Sequence, residues 1–145
     1  MNKLFLLLAG ALLTAPAALA QSRPAATARP APSFFSTYAY RTYTILDKAT
    51  SPTPMAASGV GGTLTLRPDG TYQKALTIAG NGGTMRFDQN GRFRFTADRI
   101  AFTYTDKKGQ ARTDEGTFRL ANGLLKLTIL GYPAGNQSVY TLQAQ

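Results

Sequence analysis

The sequence predicts an all-β protein: an antiparallel up-and-down meander of about eight strands that closes into a barrel. Apolar residues recur at every second position in many segments, and Thr, Tyr, Phe and Ile are frequent there. Short segments that contain Gly, Asn or Asp separate these runs, as turns do in hairpins. A long meander has two unpaired edges unless it closes. Closure is therefore favoured over the main alternative, a sandwich of two sheets.

Residues 1–20 have the pattern of a secretory signal peptide. Lys3 precedes an apolar run, and Ala18 and Ala20 are small residues placed as a cleavage site requires. The run is roughly half of the ~20 residues that a membrane-spanning helix needs. We therefore expect cleavage before Gln21, no transmembrane segment after signal removal, and secretion to the periplasm or the extracellular space.

Residues 21–33 are predicted to form a flexible linker rich in Pro and Ala. Pro24, Pro30 and Pro32 supply no backbone donor, and the segment has no large apolar side chain to bury. The remaining residues, 34–145, are predicted to form a single β-barrel domain. That length suffices to build a core without disulfides.

Turn signals divide the barrel domain into strands. The Asn-Gly pairs favour the positive φ angles of type I′ hairpin turns, so strands that are neighbours in sequence should pair. The predicted turns are 68–70, 90–91, 108–109, 122–123 and 134–136. The predicted strands are 36–46, 62–67, 71–79, 84–88, 92–96, 98–105, 112–120, 124–131 and 137–143.

Four segments of this domain follow one another in a recognisable order. They are GGTLTLRPDGTY (61–72), NGRFRF (90–95), GTFRLANGLLKLTI (116–129) and SVYTLQ (138–143). Their order resembles that of small bacterial lipocalin-like domains of the calycin superfamily, over residues 36–143. The resemblance implies an eight-stranded barrel and the binding of a ligand. The Gly-x-Trp of the first lipocalin strand has no counterpart, because the chain contains no Trp.

The composition excludes most catalytic and metal-binding chemistry. The chain has no His and no Cys, which removes Ser-His-Asp triads, thiol nucleophiles and the usual zinc ligands. Most acidic residues fall at predicted turns, and the adjacent Asp114 and Glu115 would point to opposite faces of a strand. We therefore expect no enzyme activity, no catalytic residue, no metal site and no cofactor.

Inward-facing aromatic residues are the predicted ligand-binding residues. An eight-stranded barrel is just wide enough to be filled by side chains or to hold one small ligand. Because large aromatic side chains fill such a barrel readily, a packed core is the alternative to a ligand cavity. The residues predicted to line the interior and bind a small, mostly apolar ligand are Tyr72, Phe93, Phe95, Phe102, Tyr104, Phe118 and Tyr140.

The segment 48–62 is predicted to be a lid. It is too long for a hairpin turn and too rich in Pro and Gly for a strand or helix. It would link the first two strands and fold across one mouth of the barrel, with Met55 and Val60 as its apolar contacts. A surface loop without such a role is the alternative.

Basic residues are predicted to lie on the outward face of consecutive strands. The chain has 16 Lys and Arg against 7 Asp and Glu, a formal net charge of +9. Outside the cytoplasm such a face would suit an anionic envelope polymer or surface, and nucleic acid is not expected as a partner. A solvated face that keeps the barrel soluble is the alternative. The residues of the predicted anion-binding face are Arg86, Arg92, Arg94, Arg119 and Lys126.

The sequence therefore predicts a secreted, non-enzymatic lipocalin-like protein that binds a small, mostly apolar molecule inside its barrel. The alternative is a structural or envelope-associated module with a packed core, whose basic outer face contacts anionic polymers or surfaces.

Overall fold

The computed structural model describes residues 33–145. The predicted signal peptide and residues 21–32 of the predicted linker lie outside the described residues. Within 33–145 the chain forms strands and no helix, as the period-two pattern predicts. The strands are β1 Thr37–Leu46, β2 Met55–Ala56, β3 Gly61–Leu66, β4 Thr71–Gly80, β5 Gly83–Thr96, β6 Arg99–Thr105, β7 Ala111–Ala121, β8 Leu124–Leu130 and β9 Gln137–Ala144.

The sheet closes on itself. From β3 to β9 each strand pairs antiparallel with the next one along the chain, and β1 pairs with both β3 and β9. The closing ladder runs from Tyr38 opposite Ala144 to Leu46 opposite Gln137. The eight strands β1 and β3–β9 therefore form the predicted lipocalin-like up-and-down barrel rather than a two-sheet sandwich. The two-residue strand β2 is an addition to that barrel.

One predicted turn is wrong. Asn90-Gly91 lies inside β5, so the predicted strands 84–88 and 92–96 are a single strand of 14 residues. A Cβ at position 91 would collide with the carbonyl oxygen of Thr103 on β6. Glycine is therefore needed here for a close approach of two backbones, and not for a turn. The turn that joins β4 to β5 lies at residues 81–82.

One end of the barrel is closed by residues that precede β1. This closed end carries the turns 67–70, 97–98 and 122–123. The Phe34 ring lies 4.7 Å from the Phe95 ring and 4.9 Å from the Phe118 ring, measured between centroids. The Tyr38 hydroxyl donates a 2.7 Å hydrogen bond to the carbonyl oxygen of Phe34 and so fixes this segment against β1.

The opposite end, which we call the mouth, carries the longer connections 47–60 and 131–136. These two loops are tied together, because the Asn136 side chain donates to Asp47 and accepts from the Lys48 backbone N–H at 3.2 and 3.0 Å. The core between the two ends consists of inward side chains at alternate strand positions. The largest fully buried ones are Tyr38, Leu64, Leu66, Tyr72, Leu76, Leu125 and Leu142.

The predicted lid is corrected to an extension of the barrel wall. Residues 55–56 form β2 and pair with Thr44 and Ile45 of β1. On the other side, the Ala79 N–H of β4 donates to the carbonyl oxygen of Ser58 at 2.8 Å. This arrangement arises because β3 has only six residues, whereas β1 and β4 have ten each. On the side of β3, the parts of β1 and β4 nearer the mouth therefore have no strand beside them, and the loop 47–60 fills this gap.

Candidate functional site

Five polar side chains lie at inward positions inside the barrel. We call Tyr72, Lys74, Gln89, Tyr104 and Asp114 the inner polar cluster. They come from β4, β5, β6 and β7, which are consecutive neighbours in the sheet, and the curvature of the closed barrel turns them around one interior. Within β4 the cluster continues the inward alternation, because Tyr72 and Lys74 lie in phase with buried Leu76.

Hydrogen bonds join the cluster in pairs. The Tyr72 hydroxyl donates to Gln89 Oε1 at 2.7 Å, and the Tyr104 hydroxyl donates to Asp114 Oδ1 at 3.3 Å. Lys74 and Gln89 stand directly opposite each other in the β4–β5 ladder. The cluster thus has one cation, one anion and an amide within a wall of aromatic rings.

Lys74 is the member without a polar partner. Among the described residues its ammonium group makes no hydrogen bond or ion pair, and its Nζ lies 5.4 Å from the centre of the Tyr140 ring. Burial lowers the pKa of Lys74, and the negative charge of Asp114 partly opposes that shift. The Lys74 side chain is half-buried, and its free donors are able to hold a hydrogen-bond acceptor that enters the barrel.

The tyrosines of this region keep their protons over an unusually wide pH range. Burial raises the pKa of Tyr72, Tyr140 and Tyr40 far above the ordinary tyrosine value. Burial and the neighbouring Asp114 also raise the pKa of Tyr104. These hydroxyls therefore serve as hydrogen-bond donors and acceptors rather than as bases.

A small cavity of about 40 Å³ lies at the cluster. Such a volume holds a few water molecules, since one needs roughly 10–15 Å³. Pockets for drug-sized ligands measure about 300–1,000 Å³. The interior is therefore filled mostly by side chains, with room for one small chemical group. Residues around this cavity include Tyr40, Tyr72, Lys74, Phe102, Asp114 and Tyr140.

The structure divides the predicted interior residues into two groups. Tyr72, Phe102 and Tyr140 line the small cavity, and Tyr104 belongs to the inner polar cluster beside it. The other three lie at inward strand positions at the closed end, where they pack with Phe34, and they do not line the cavity. These three are Phe93, Phe95 and Phe118. Phe93 is buried and Phe118 packs against the core, as predicted, whereas Phe95 is 44% exposed.

Sequence reasoning missed Lys74, Gln89 and Asp114. A signal for Lys74 was present, because a charged residue interrupts an inward run of apolar residues at 72, 76 and 78. Asp114 has the same signal in β7, where it lies in phase with Gly116 and half-buried Phe118. No local signal shows that these two positions approach one another, because that depends on how the barrel closes.

The rim of the mouth has exposed apolar side chains. Met85 and Phe87 are 44% and 43% exposed, at positions of β5 that alternate with outward Arg86. Met55 of β2 is 43% exposed, whereas Val60 packs against the core. The predicted lid residues thus contribute to the rim from within the wall.

The predicted anion-binding face is broken into separate places. Arg86 forms a 3.2 Å ion pair with Asp88, and Arg92 donates to the carbonyl oxygen of Asp69 at the closed end. Arg119 and Lys126 are opposite each other on β7 and β8. The five residues all alternate outward, but none of them lies on β6, which separates β5 from β7.

Arg94 borders a separate open depression of about 450 Å³ on the outer surface. Arg99, Glu115 and Leu130 also line it. Two guanidinium groups and one carboxylate therefore meet at this place, which leaves it more basic than acidic.

In residues 33–145 no helix is long and apolar enough to traverse a bilayer. In the same part of the chain, no three His, Cys, Asp or Glu side chains are grouped in a way that could hold a metal ion. No protein-family model, curated protein or solved structure matches this sequence.

Proposed function

We propose that the chain is a secreted, non-enzymatic lipocalin-like protein that binds a small, mostly apolar molecule at the mouth of its barrel. The observation that carries this proposal is the partnerless ammonium group of Lys74 beside a small cavity lined by aromatic rings. The Lys74 side chain is half-buried, and partial removal of its charge from water without a polar partner is unfavourable. A ligand that accepts a hydrogen bond from Lys74 would offset that cost.

The size of the cavity determines how the ligand would bind. About 40 Å³ accepts one polar group and not a whole molecule. The remainder of the ligand would lie against the apolar rim, where Met85 and Phe87 expose carbon surface to water. The ligand is therefore amphipathic, with its polar end directed inward.

The charges of the cluster determine which polar group fits. Lys74 and Asp114 together make the site formally neutral, so an anionic headgroup would meet the Asp114 carboxylate as well as the ammonium. A neutral carbonyl, hydroxyl or amide avoids that repulsion and still accepts a hydrogen bond from Lys74. We therefore propose a neutral amphipathic ligand rather than a fatty acid.

Fluorescence titration with the neutral carbonyl probe 6-propionyl-2-dimethylaminonaphthalene tests this mode of binding. We expect saturable binding, with Lys74→Met and Phe87→Ala each weakening it about 10-fold, or 1.4 kcal/mol. The controls are Lys126→Met on the outer face and Phe95→Ala at the closed end. Phe95 is as exposed as Phe87, at 44% against 43%. If binding depended only on the amount of exposed apolar surface, both variants would weaken it equally.

Native mass spectrometry of the protein purified from its own secretory compartment identifies the natural ligand. An additional mass that is lost on denaturation would support the proposal. Absence of saturable probe binding, or equal weakening by all four variants, would instead favour a packed barrel.

The alternative function is a structural or envelope-associated module that contacts an anionic polymer. The filled interior and the outer depression with Arg94 and Arg99 favour it. Binding of inorganic polyphosphate that weakens with salt and with Arg94→Ala, but not with Arg119→Ala, would support this second function.

A further inference from the structure

The first half of β5 has a neighbouring strand on one side only. β4 pairs with β5 from Gly83 to Arg92, whereas β6 pairs with β5 from Gly91 to Thr96. Residues 83–90 thus form an edge that no other strand of the described chain covers, and residues 81–88 are all exposed. Exposed strand edges pair readily with further strands.

The direction of the backbone groups on this edge follows from the ladder. The Phe93 N–H donates to the carbonyl oxygen of Gly70 at 2.8 Å and therefore points toward β4. The β4–β5 register is unbroken up to Gly83, so odd-numbered residues of β5 keep that direction. The N–H and C=O groups of Thr84, Arg86, Asp88 and Asn90 consequently point away from β4, toward open solvent.

We infer that this edge pairs with the same edge of a second copy of the chain, antiparallel and with Phe87 opposite Phe87. In that register Arg86 of each copy stands opposite Asp88 of the other, which forms two ion pairs across the interface. The residues whose N–H and C=O groups point away from β4 also stand opposite one another in this register, as a hydrogen-bonded ladder requires. The sequence of the edge is thus complementary to itself.

The neighbouring symmetric registers are unfavourable. A shift that centres the interface on Arg86 places two guanidinium groups opposite each other, and a shift that centres it on Asp88 places two carboxylates opposite each other. Like charges directly opposite on a sheet are destabilising. In the registers between these, backbone groups that point away from β4 would stand opposite groups that point toward β4, and no hydrogen-bonded ladder would form. Charge pairing therefore selects the register with Phe87 on the two-fold axis.

The apolar face of the edge supports the same pairing. Met85 and Phe87 are among the most exposed apolar residues of the described chain, and both lie on the face of β5 that turns inward. In the dimer Phe87 meets its counterpart, and Met85 of one copy meets Gln89 of the other. The second copy would thereby border the inner polar cluster, although the dimer itself does not depend on any ligand.

Sedimentation velocity of the mature chain, residues 21–145, over about a hundredfold range of concentration tests the inference. We expect a mass that rises toward twice the monomer value. Arg86→Asp and Asp88→Arg should each weaken dimerisation at least about 10-fold, because each places like charges in opposition. The double swap, Arg86→Asp with Asp88→Arg, restores the pairs and should restore the dimer.

Arg94→Asp is the matched control, since it makes the same charge change at an outward position on the paired half of β5. The Arg86 and Asp88 side chains are 68% and 60% exposed, so the swaps should leave folding intact, which circular dichroism verifies. A monomer at every concentration overturns the inference. A dimer that ignores all these variants, or a double swap that does not restore dimerisation, overturns it as well.

Discussion

Lys74 is a residue whose placement opposes stability. Its ammonium group is partly removed from water, and burial lowers its pKa, so the charged form is disfavoured in the folded barrel. An apolar side chain of similar length would fill the same space without that penalty. Natural proteins often keep such residues where function needs them, at the expense of stability.

Replacing Lys74 with Met should therefore stabilise the protein. We expect the free energy of unfolding at pH 7 to rise by about 1 kcal/mol, the lower end of the usual range for burying a polar group without a partner, because Lys74 is only half-buried. The gain should shrink as the pH rises toward 10.5, the ordinary pKa of lysine, and vanish above it, where the lysine is uncharged in both states. Urea denaturation at pH 7 and pH 10 measures both values, with exposed Lys126→Met as the control. A Lys74→Met variant less stable than the wild type would show that the ammonium stabilises the fold.

How far single residues can be predicted from sequence depends on whether their partners are local. Tyr72, Phe102 and Tyr140 were predicted correctly as interior residues, because alternation along one strand fixes the direction of a side chain. Asp114 and Lys74 also alternate inward, but they lie on β7 and β4. Two strands, β5 and β6, lie between them, so their approach at one cavity depends on the curvature of the whole barrel, which no local pattern records.

The segment that precedes β1 acts as an element of its own. Phe34 and Phe35 close one end of the barrel, and the ring of Phe34 contacts those of Phe93, Phe95 and Phe118. Phe34→Ala should lower the free energy of unfolding by about 2 kcal/mol, which is typical for burying such a side chain. Leu130→Ala, at a side chain that is 59% exposed, is the control. Equal effects in urea denaturation would mean that Phe34 does not close the barrel.

At the level of strands, β5 shows where turn signals mislead. Asn-Gly is the preferred pair for a tight hairpin turn, and at 122–123 it does form one, with φ angles of +53° and +76°. At 90–91 the same pair lies within a strand, since glycine is needed there for the approach of β6. The deciding contact is with a residue 12 positions further along the chain, Thr103, and a two-residue signal cannot include it.

At the scale of the whole molecule, the fold follows from the addition of many local preferences. Each hairpin pairs neighbouring strands, and β1 must then cover the last edge or leave it open to solvent. The barrel has no disulfide to hold it closed, because the chain contains no cysteine. Its stability therefore depends on the packed interior, and the interior contains several groups that titrate at alkaline pH.

These groups predict how stability varies with pH. Burial raises the pKa of Tyr38 to about 12, and it raises the pKa of Tyr72 and Tyr140 as well. The unfolded chain releases these protons near pH 10, whereas the folded barrel retains them. The stabilisation that they provide is complete below pH 10 and is lost as the pH rises through 12 and beyond. Lys74 has the opposite sign, because its pKa is lowered on folding and the unfolded chain binds the proton more tightly.

Stability should thus increase slightly as the pH approaches 10 and then decrease steeply above it. Urea denaturation at a series of pH values between 7 and 12 measures the curve. The Lys74→Met variant should lack the increase and keep the decrease, since the tyrosines are unchanged. A curve that stays flat through pH 12 would mean that water reaches the tyrosine hydroxyls. In that case the barrel interior would be far more open than its small cavity indicates, with space for a whole ligand beside Lys74.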